Sequence, residues 1–209
     1  MLFITIAPLT PSLDIDIENF FFNQSNFTGN TLFTFIYQYG PYPALVTASL
    51  SFVGFITSFF LSSLLPFRKS FALLVLTLAI GSGLIVHIAL KEQWGRPRPK
   101  QVTEFGGKQE FRPFYSPNFF NQPEPSKSFP CGHCSTGFYF FALALAGKRL
   151  KNRKLEVIGY LLAMALGIAL SVARMAQGGH FFSDTITAAL IMWMTALICD
   201  WFIYEWRSE

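Results

Sequence analysis

Apolar and polar stretches alternate along this chain with a long period. Residues 42–65 are apolar and end at Pro66, Arg68 and Lys69, and residues 71–90 are apolar and end at Lys91. Residues 155–172 are nearly free of charge after Glu156, and residues 185–204 are apolar except for Asp200. About 20 apolar residues suffice for a helix to cross the hydrocarbon, and in lipid a single segment satisfies its own backbone only as a helix. Each run therefore predicts a transmembrane helix. Residues 134–147 are a shorter run that lies between two polar loops and completes the topology. The first 41 residues are less regular. An apolar stretch at residues 1–9 is too short to span, Asp14, Asp16 and Glu18 follow, and then comes an aromatic, Asn-rich stretch. This segment reads either as an interfacial element with Phe and Tyr at headgroup level or as the remainder of a first span. The pattern as a whole predicts an all-α integral membrane bundle of about five to six transmembrane helices. It forms a single domain over residues 1–209, with an outer loop at 91–130 where Pro, Gly and charge concentrate.

Composition agrees with the bilayer reading. Charged residues make up only 13% of the chain and hydrophobic ones 52%, against roughly 25% charged in a soluble domain. The net charge of +4 does not signal nucleic acid, because the basic residues form no stripe interleaved with aromatics. Three Cys residues are too few for a disulfide scaffold. Short loops rich in Lys and Arg stay in the cytoplasm. The loop KRLKNRK at 148–154 and the Arg68-Lys69 pair therefore face inward, and the segments at 91–130 and 174–183 face periplasm or lumen. Those outer segments carry about as much Lys and Arg as the inner ones, which calls for a functional account.

That account comes from three outward stretches: Lys91-Glu-Gln-Trp-Gly-Arg-Pro-Arg98-Pro99, Pro130-Cys131-Gly132-His133, and Arg174 through His180 to Asp184. Cations near a membrane are costly without a partner. Lys91, Arg98 and Arg174 converge at one depth from three helix ends, so they imply an anion between them, with the Arg fork matching phosphate oxygens. Gly132 and His133 begin a helix, where free N–H groups add to an anion site. His180 and Asp184 share a helix face; the carboxylate can hold one ring nitrogen protonated and leave the other free to attack. His133 is placed to give a proton to a leaving oxygen. Single residues admit plainer readings. A lone Lys or Arg at a helix end is usually a snorkelling anchor, and Arg96 and Lys100 are read that way. Cys131-Gly-His-Cys134 also resembles a redox dithiol, but the thioredoxin-like βαβ context is absent; a disulfide there needs an oxidising compartment.

These stretches resemble the three motifs of the type 2 phosphatidic acid phosphatase superfamily, K-x6-R-P, P-S-G-H and S-R-x5-H-x3-D. Cys131 stands for the usual Ser of the second motif and Ala173 for the Ser before Arg174. The resemblance implies His180 as nucleophile oriented by Asp184, His133 as general acid, and Lys91, Arg98, Arg174, Cys131 and Gly132 around the phosphate. A thiol at 131 would be a weaker donor than the hydroxyl it replaces. No metal or other cofactor is expected, and the expected partners are a lipid phosphate and the bilayer. The loop KQVTEFGGKQEFRPFYSP at 100–117 is similar to that of bacterial lipid A phosphatases in this superfamily, which places the chain in a bacterial inner membrane with its site toward the periplasm. Polyprenyl diphosphate, phosphatidylglycerol phosphate and phosphatidic acid are the other candidate substrates. A lipid phosphotransferase would use the same residues, a non-catalytic lipid-binding protein would keep only the cradle, and a transporter would carry polar groups inside its spans.

Overall fold

A computed structural model describes residues 7–120 and 124–205. It is mostly helical. Near the N-terminus, α1 (Thr10–Asn19) leads into a two-stranded hairpin, β1 (Phe22–Asn23) and β2 (Asn26–Phe27), and then α2 (Thr31–Tyr39), α3 (Tyr42–Thr57) and α4 (Arg68–Leu76). A π-helical stretch, Thr77–Lys91, continues α4. After the outer loop come α5 (Gly132–Phe138), α6 (Phe141–Arg149), α7 (Arg153–Ala176) and α8 (Phe182–Tyr204). The apolar stretch expected at residues 1–9 lies largely outside the described residues.

Among the described residues, three helical rods are long and apolar enough to cross a membrane: Ser62–Lys91, Arg153–Ala176 and Phe182–Tyr204. These match three expected spans. The run at 42–65 divides differently: α3 stops at Thr57, and Ser62–Phe67 is a 3₁₀ turn belonging to the next rod. The run at 134–147 falls into α5 and α6, broken at Tyr139 and Phe140. Hydropathy reports polarity and does not register such breaks.

Local signals set the boundaries. Asn152 caps α7 by accepting from the Leu155 amide at 3.1 Å, and Asn30 caps α2 by accepting from Phe33 at 3.0 Å. Small residues let the helices approach. A Cβ on Gly167 would lie 2.3 Å from the Phe138 ring, so α5 and α7 pack at a distance no larger residue permits. The core joins Leu73, Phe138, Tyr139, Ala163, Ala188 and Met192. Outside it, Phe52, Leu161, Ile168 and Ile198 are at least half exposed, a surface suited to lipid rather than water. At the end away from the candidate site, Arg149 pairs with Asp200 at 2.6 Å, which accounts for the one charge inside the last apolar run.

The outer loop is ordered by aromatic packing. Trp94 stacks against Phe129 at 4.8 Å and donates its indole N–H to the Phe114 carbonyl. The hairpin folds onto this loop, with Phe22 and Phe27 against Phe105 at 5.3 and 5.6 Å. Thus part of the N-terminal aromatic set packs on protein, while Phe20 and Phe35 stay exposed.

Candidate active site

Four segments meet at the loop end of the bundle. The π-helical stretch ends at Lys91, the start of the outer loop carries Arg96 and Arg98, α5 begins beside His133, and the turn between α7 and α8 carries His180. The Lys100 amide donates to the Gly178 carbonyl at 3.2 Å, tying the first motif to the third. Lys91 feels both Arg98 and Arg174, and its Nζ lies against Gly132, where an added Cβ would sit 3.3 Å away. Arg174 is buried, donates to the Gln177 Oε1 at 2.6 Å and stacks 4.6 Å from the Tyr37 ring centre. The Nε atoms of Arg98 and Arg174 are buried without hydrogen-bond partners among the described residues. Cations left with open donors and mutual repulsion are suited to receiving an anion.

His180 is completely buried. Its Nδ1 lies 2.5 Å from the carbonyl oxygen of Ser128, so that nitrogen carries the proton and donates it. Its Nε2 is buried and unpartnered among the described residues, a bare lone pair beside the cations. Burial, aided by Arg174, lowers the ring pKa to about 3, with Asp184 opposing, so the imidazole is neutral at physiological pH. Asp184 does not hold the ring directly: Oδ2 is 3.7 Å from Nδ1, too long for a hydrogen bond. That oxygen instead accepts from the Ser128 hydroxyl at 2.6 Å and from the Phe181 amide at 2.9 Å. Asp184 is thus linked to the ring through Ser128. His133 stacks on Tyr37 at 4.5 Å. Burial, then Arg174 and Lys91, lower its pKa to about 4, so without substrate the ring is neutral at physiological pH.

Cys131 and Cys134 are joined in a disulfide. The Cys131 sulfur accepts from the Cys134 amide at 3.2 Å, and the Cys131 amide donates to the Asp184 carbonyl at 3.2 Å. The expected phosphate contact from a Cys131 thiol therefore does not fit this form, since a bonded sulfur has no hydrogen to donate. Gly132 and His133 precede the first backbone bond of α5, from Ser135 to Cys131, so their amides point out of the helix start.

The reading of Arg96 as a snorkelling anchor is wrong. It has no exposure and bridges Asp184 at 2.5 Å and Asp14 at 2.7 Å. Sequence reasoning also missed Asp14, Ser128, Tyr37 and His87. Asp14 and Glu18 stand four apart in a segment that offers them no local base, a signal of a distant partner. His87 donates from Nδ1 to the Ser82 carbonyl at 2.7 Å and turns Nε2 toward Gly132, where an added Cβ would lie 2.7 Å away.

Beside His133 a cavity of about 740 Å³ opens between α3 and the π-helical stretch. Leu45, Phe52, Val53 and Leu78 line it, and His87, Gly132 and His133 close one end. Leu45, Phe52 and Val53 are also exposed on the outer surface of the bundle, so the cavity is open sideways.

Comparison with known proteins agrees with this geometry. The family model described as PAP2 superfamily matches residues 71–208. A lipid A 4'-phosphatase of Francisella tularensis subsp. novicida is 31% identical over 93% of this chain and 86% of its own length. Lipid A 4'-phosphatases of Rhizobium leguminosarum and Rhizobium etli are 32% and 30% identical over 58% of this chain, and they align over 48% and 43% of their own lengths. No solved structure matches. A family model that takes in Lys91, His133, His180 and Asp184 together means that this chain belongs to the PAP2 superfamily and is a phosphatase.

Proposed function

We propose that the protein removes a phosphate from lipid A or a closely related bacterial lipid phosphate through a phosphohistidine at His180. The observation that carries this reading is the bare Nε2 of a neutral, buried His180 that feels the charges of Arg174 and Lys91. In the first step Nε2 bonds to phosphorus and the bond to the leaving oxygen breaks, with His133 delivering the proton that oxygen needs. Free His133 is neutral, so that proton enters with a monoanionic phosphate or is taken up when the phosphate's charge arrives beside the ring. The donation leaves His133 neutral again. It then takes a proton from water as the water attacks the phosphohistidine, releasing inorganic phosphate and restoring His180. Lys91, Arg98, Arg174 and the Gly132 amide stabilise the charge on the transferring group.

The names of the relatives support lipid A, and the sideways cavity offers an apolar site for acyl chains on the leaving-group side. In this reading α3 and the α5–α6 pair complete a five-crossing bundle in a bacterial inner membrane, the KRLKNRK loop faces the cytoplasm, and the catalytic end faces the periplasm. The test is free phosphate released by purified protein from a panel of lipid A, phosphatidic acid, phosphatidylglycerol phosphate and a polyprenyl diphosphate. Lipid A is expected to be turned over fastest, and His180→Ala to abolish turnover. Undiminished hydrolysis by His180→Ala would reject the mechanism. Phosphate appearing on an added acceptor lipid instead of in solution would make the protein a phosphotransferase.

A further inference from the structure

Among the described residues Arg96 is the largest side chain entirely removed from solvent, and it directs most of its donors to the protein. Nε donates to the Arg112 carbonyl at 2.8 Å, Nη1 to Asp184 Oδ1 at 2.5 Å and Ser183 Oγ at 2.8 Å, and Nη2 to Asp14 Oδ2 at 2.7 Å. Its Cζ lies 4.5 Å from the Phe181 ring centre. With four of its five N–H donors taken and no exposure, it is poorly placed to bind substrate phosphate.

Arg96 and its partners instead surround the group that orients His180. Ser128 is held at every polar atom: its amide donates to the Arg96 carbonyl at 3.0 Å, its hydroxyl to Asp184 Oδ2, and its carbonyl accepts from His180 Nδ1. Asp14, on α1, binds the same place from the other side. Its Oδ1 accepts from the Ser183 amide at 2.8 Å and its Oδ2 from the Ser183 hydroxyl at 2.7 Å, so it caps the helix that carries Asp184. The charged groups meeting here are Asp14, Asp184 and Arg96, with His180 neutral. Glu18, one turn beyond Asp14, is buried without a hydrogen-bond partner among the described residues. Burial, then Asp184 and Asp14, push the pKa of its carboxyl well above the usual range. Without Arg96, Asp14 and Asp184 would face each other with no cation between them.

We propose that Arg96, locked by Asp14 of the N-terminal helix, is a positioning residue for His180. It fixes Asp184 and Ser128, and through the Ser128 carbonyl it fixes the ring tautomer that leaves Nε2 bare. The N-terminal helix is thereby part of the catalytic machinery. This rests on the phosphatase reading with His180 as nucleophile.

The test uses the purified full chain in detergent, lipid A as substrate and orthovanadate as a competitive probe of the cradle. Arg96→Gln should lower kcat about 100-fold, the scale of a reacting group displaced by about 1 Å. KM and vanadate inhibition should stay within about twofold, because the cradle is untouched. Arg96→Lys should recover part of the loss. Arg96→Gln leaves two buried carboxylates unpaired, so Arg96→Gln/Asp14→Asn, which removes one charge of each sign, serves as the variant expected to fold, with the same kcat loss. In an Asp184→Asn background, Arg96→Gln should cost less than about threefold more, as coupled residues do. Vanadate inhibition weakened tenfold with kcat intact would make Arg96 a phosphate ligand and overturn the proposal. Fully additive losses with Asp184→Asn, or full activity of the double variant, would overturn it as well. Wild type inactive on the whole lipid panel would reject the function itself; the outcomes above, with wild type active, reject only the positioning role.

Discussion

Gly179 sits directly under the Arg174 guanidinium, and replacing it by Ala tests how finely the cradle is set. A Cβ there would lie 2.2 Å from Nη2 and 2.7 Å from Cζ of Arg174, where ordinary contact begins at 3.4 Å. The guanidinium must therefore retreat by about 1.2 Å, the difference between 3.4 and 2.2. It cannot do so freely, because Gln177 and the Tyr37 ring hold it. Losing one charge-assisted hydrogen bond to phosphate costs about 1.5–3 kcal/mol, so kcat/KM should fall by about 10- to 100-fold. Stability should hardly change. The atom that moves is the far end of a flexible side chain, and Gly179 is not at positive φ, so Tm should stay within about 4 °C of wild type. The assay is phosphate release over a range of lipid concentrations, alongside thermal unfolding of the same preparations. Unchanged kcat/KM with a correctly folded variant would refute the assignment of Arg174 to the phosphate. An Arg174→Ala/Gly179→Ala variant that loses activity beyond Arg174→Ala alone would show that Gly179 acts through something else.

Further outcomes are expected. Since free His133 and His180 are neutral above pH 4, substrate and enzyme together must bring one proton; kcat/KM should be flat below the second phosphate ionisation, about pH 6, and fall tenfold per unit above it, and a profile rising from pH 6 to 8 would contradict this. In denaturant without reductant, a maleimide should label only Cys199, and all three Cys residues after reduction; three labels without reductant would mean the pair is not bonded. With native Cys replaced, an impermeant thiol reagent on intact cells should label Gln109→Cys and spare Asn152→Cys, and the reverse pattern would invert the topology. In the proposed mechanism cationic side chains hold the anion, so activity should survive EDTA; a loss restored by one divalent ion would mean a ligand set was missed.

The grouping of the candidate residues was legible in the sequence where they lie in short stretches. The stretch from Lys91 to Arg98 and the stretch from Arg174 to Asp184 are each short, and the structure brings them together at one end of the bundle. The long apolar rods were legible for the same reason: polarity over about 20 residues is a local property. What could not be read was contact across the chain. Asp14 and Ser183 are 169 residues apart, and no periodicity connects them. Arg96 looked like an anchor because its neighbours in sequence are loop residues, whereas its burial is set by Asp14, Phe111 and Phe181. Asp184 stands four residues from His180, a spacing that suggests direct contact, but the bend before α8 leaves 3.7 Å between them and inserts Ser128. Ser128 offered no signal, since one Ser in a loop of Ser, Pro and Lys is unremarkable by type.

The cavity that opens sideways beside His133 has a kinetic corollary. A substrate that slides in from the surrounding leaflet never passes through bulk water, so litres of solution are the wrong denominator for its concentration. What governs encounter is how many substrate molecules share each patch of bilayer. Turnover in vesicles should then track the mole fraction of substrate in the lipid, and diluting the vesicles with buffer should leave the rate per enzyme unchanged. Diluting the substrate with inert lipid should slow each enzyme molecule, even though every molecule of substrate is still in the tube.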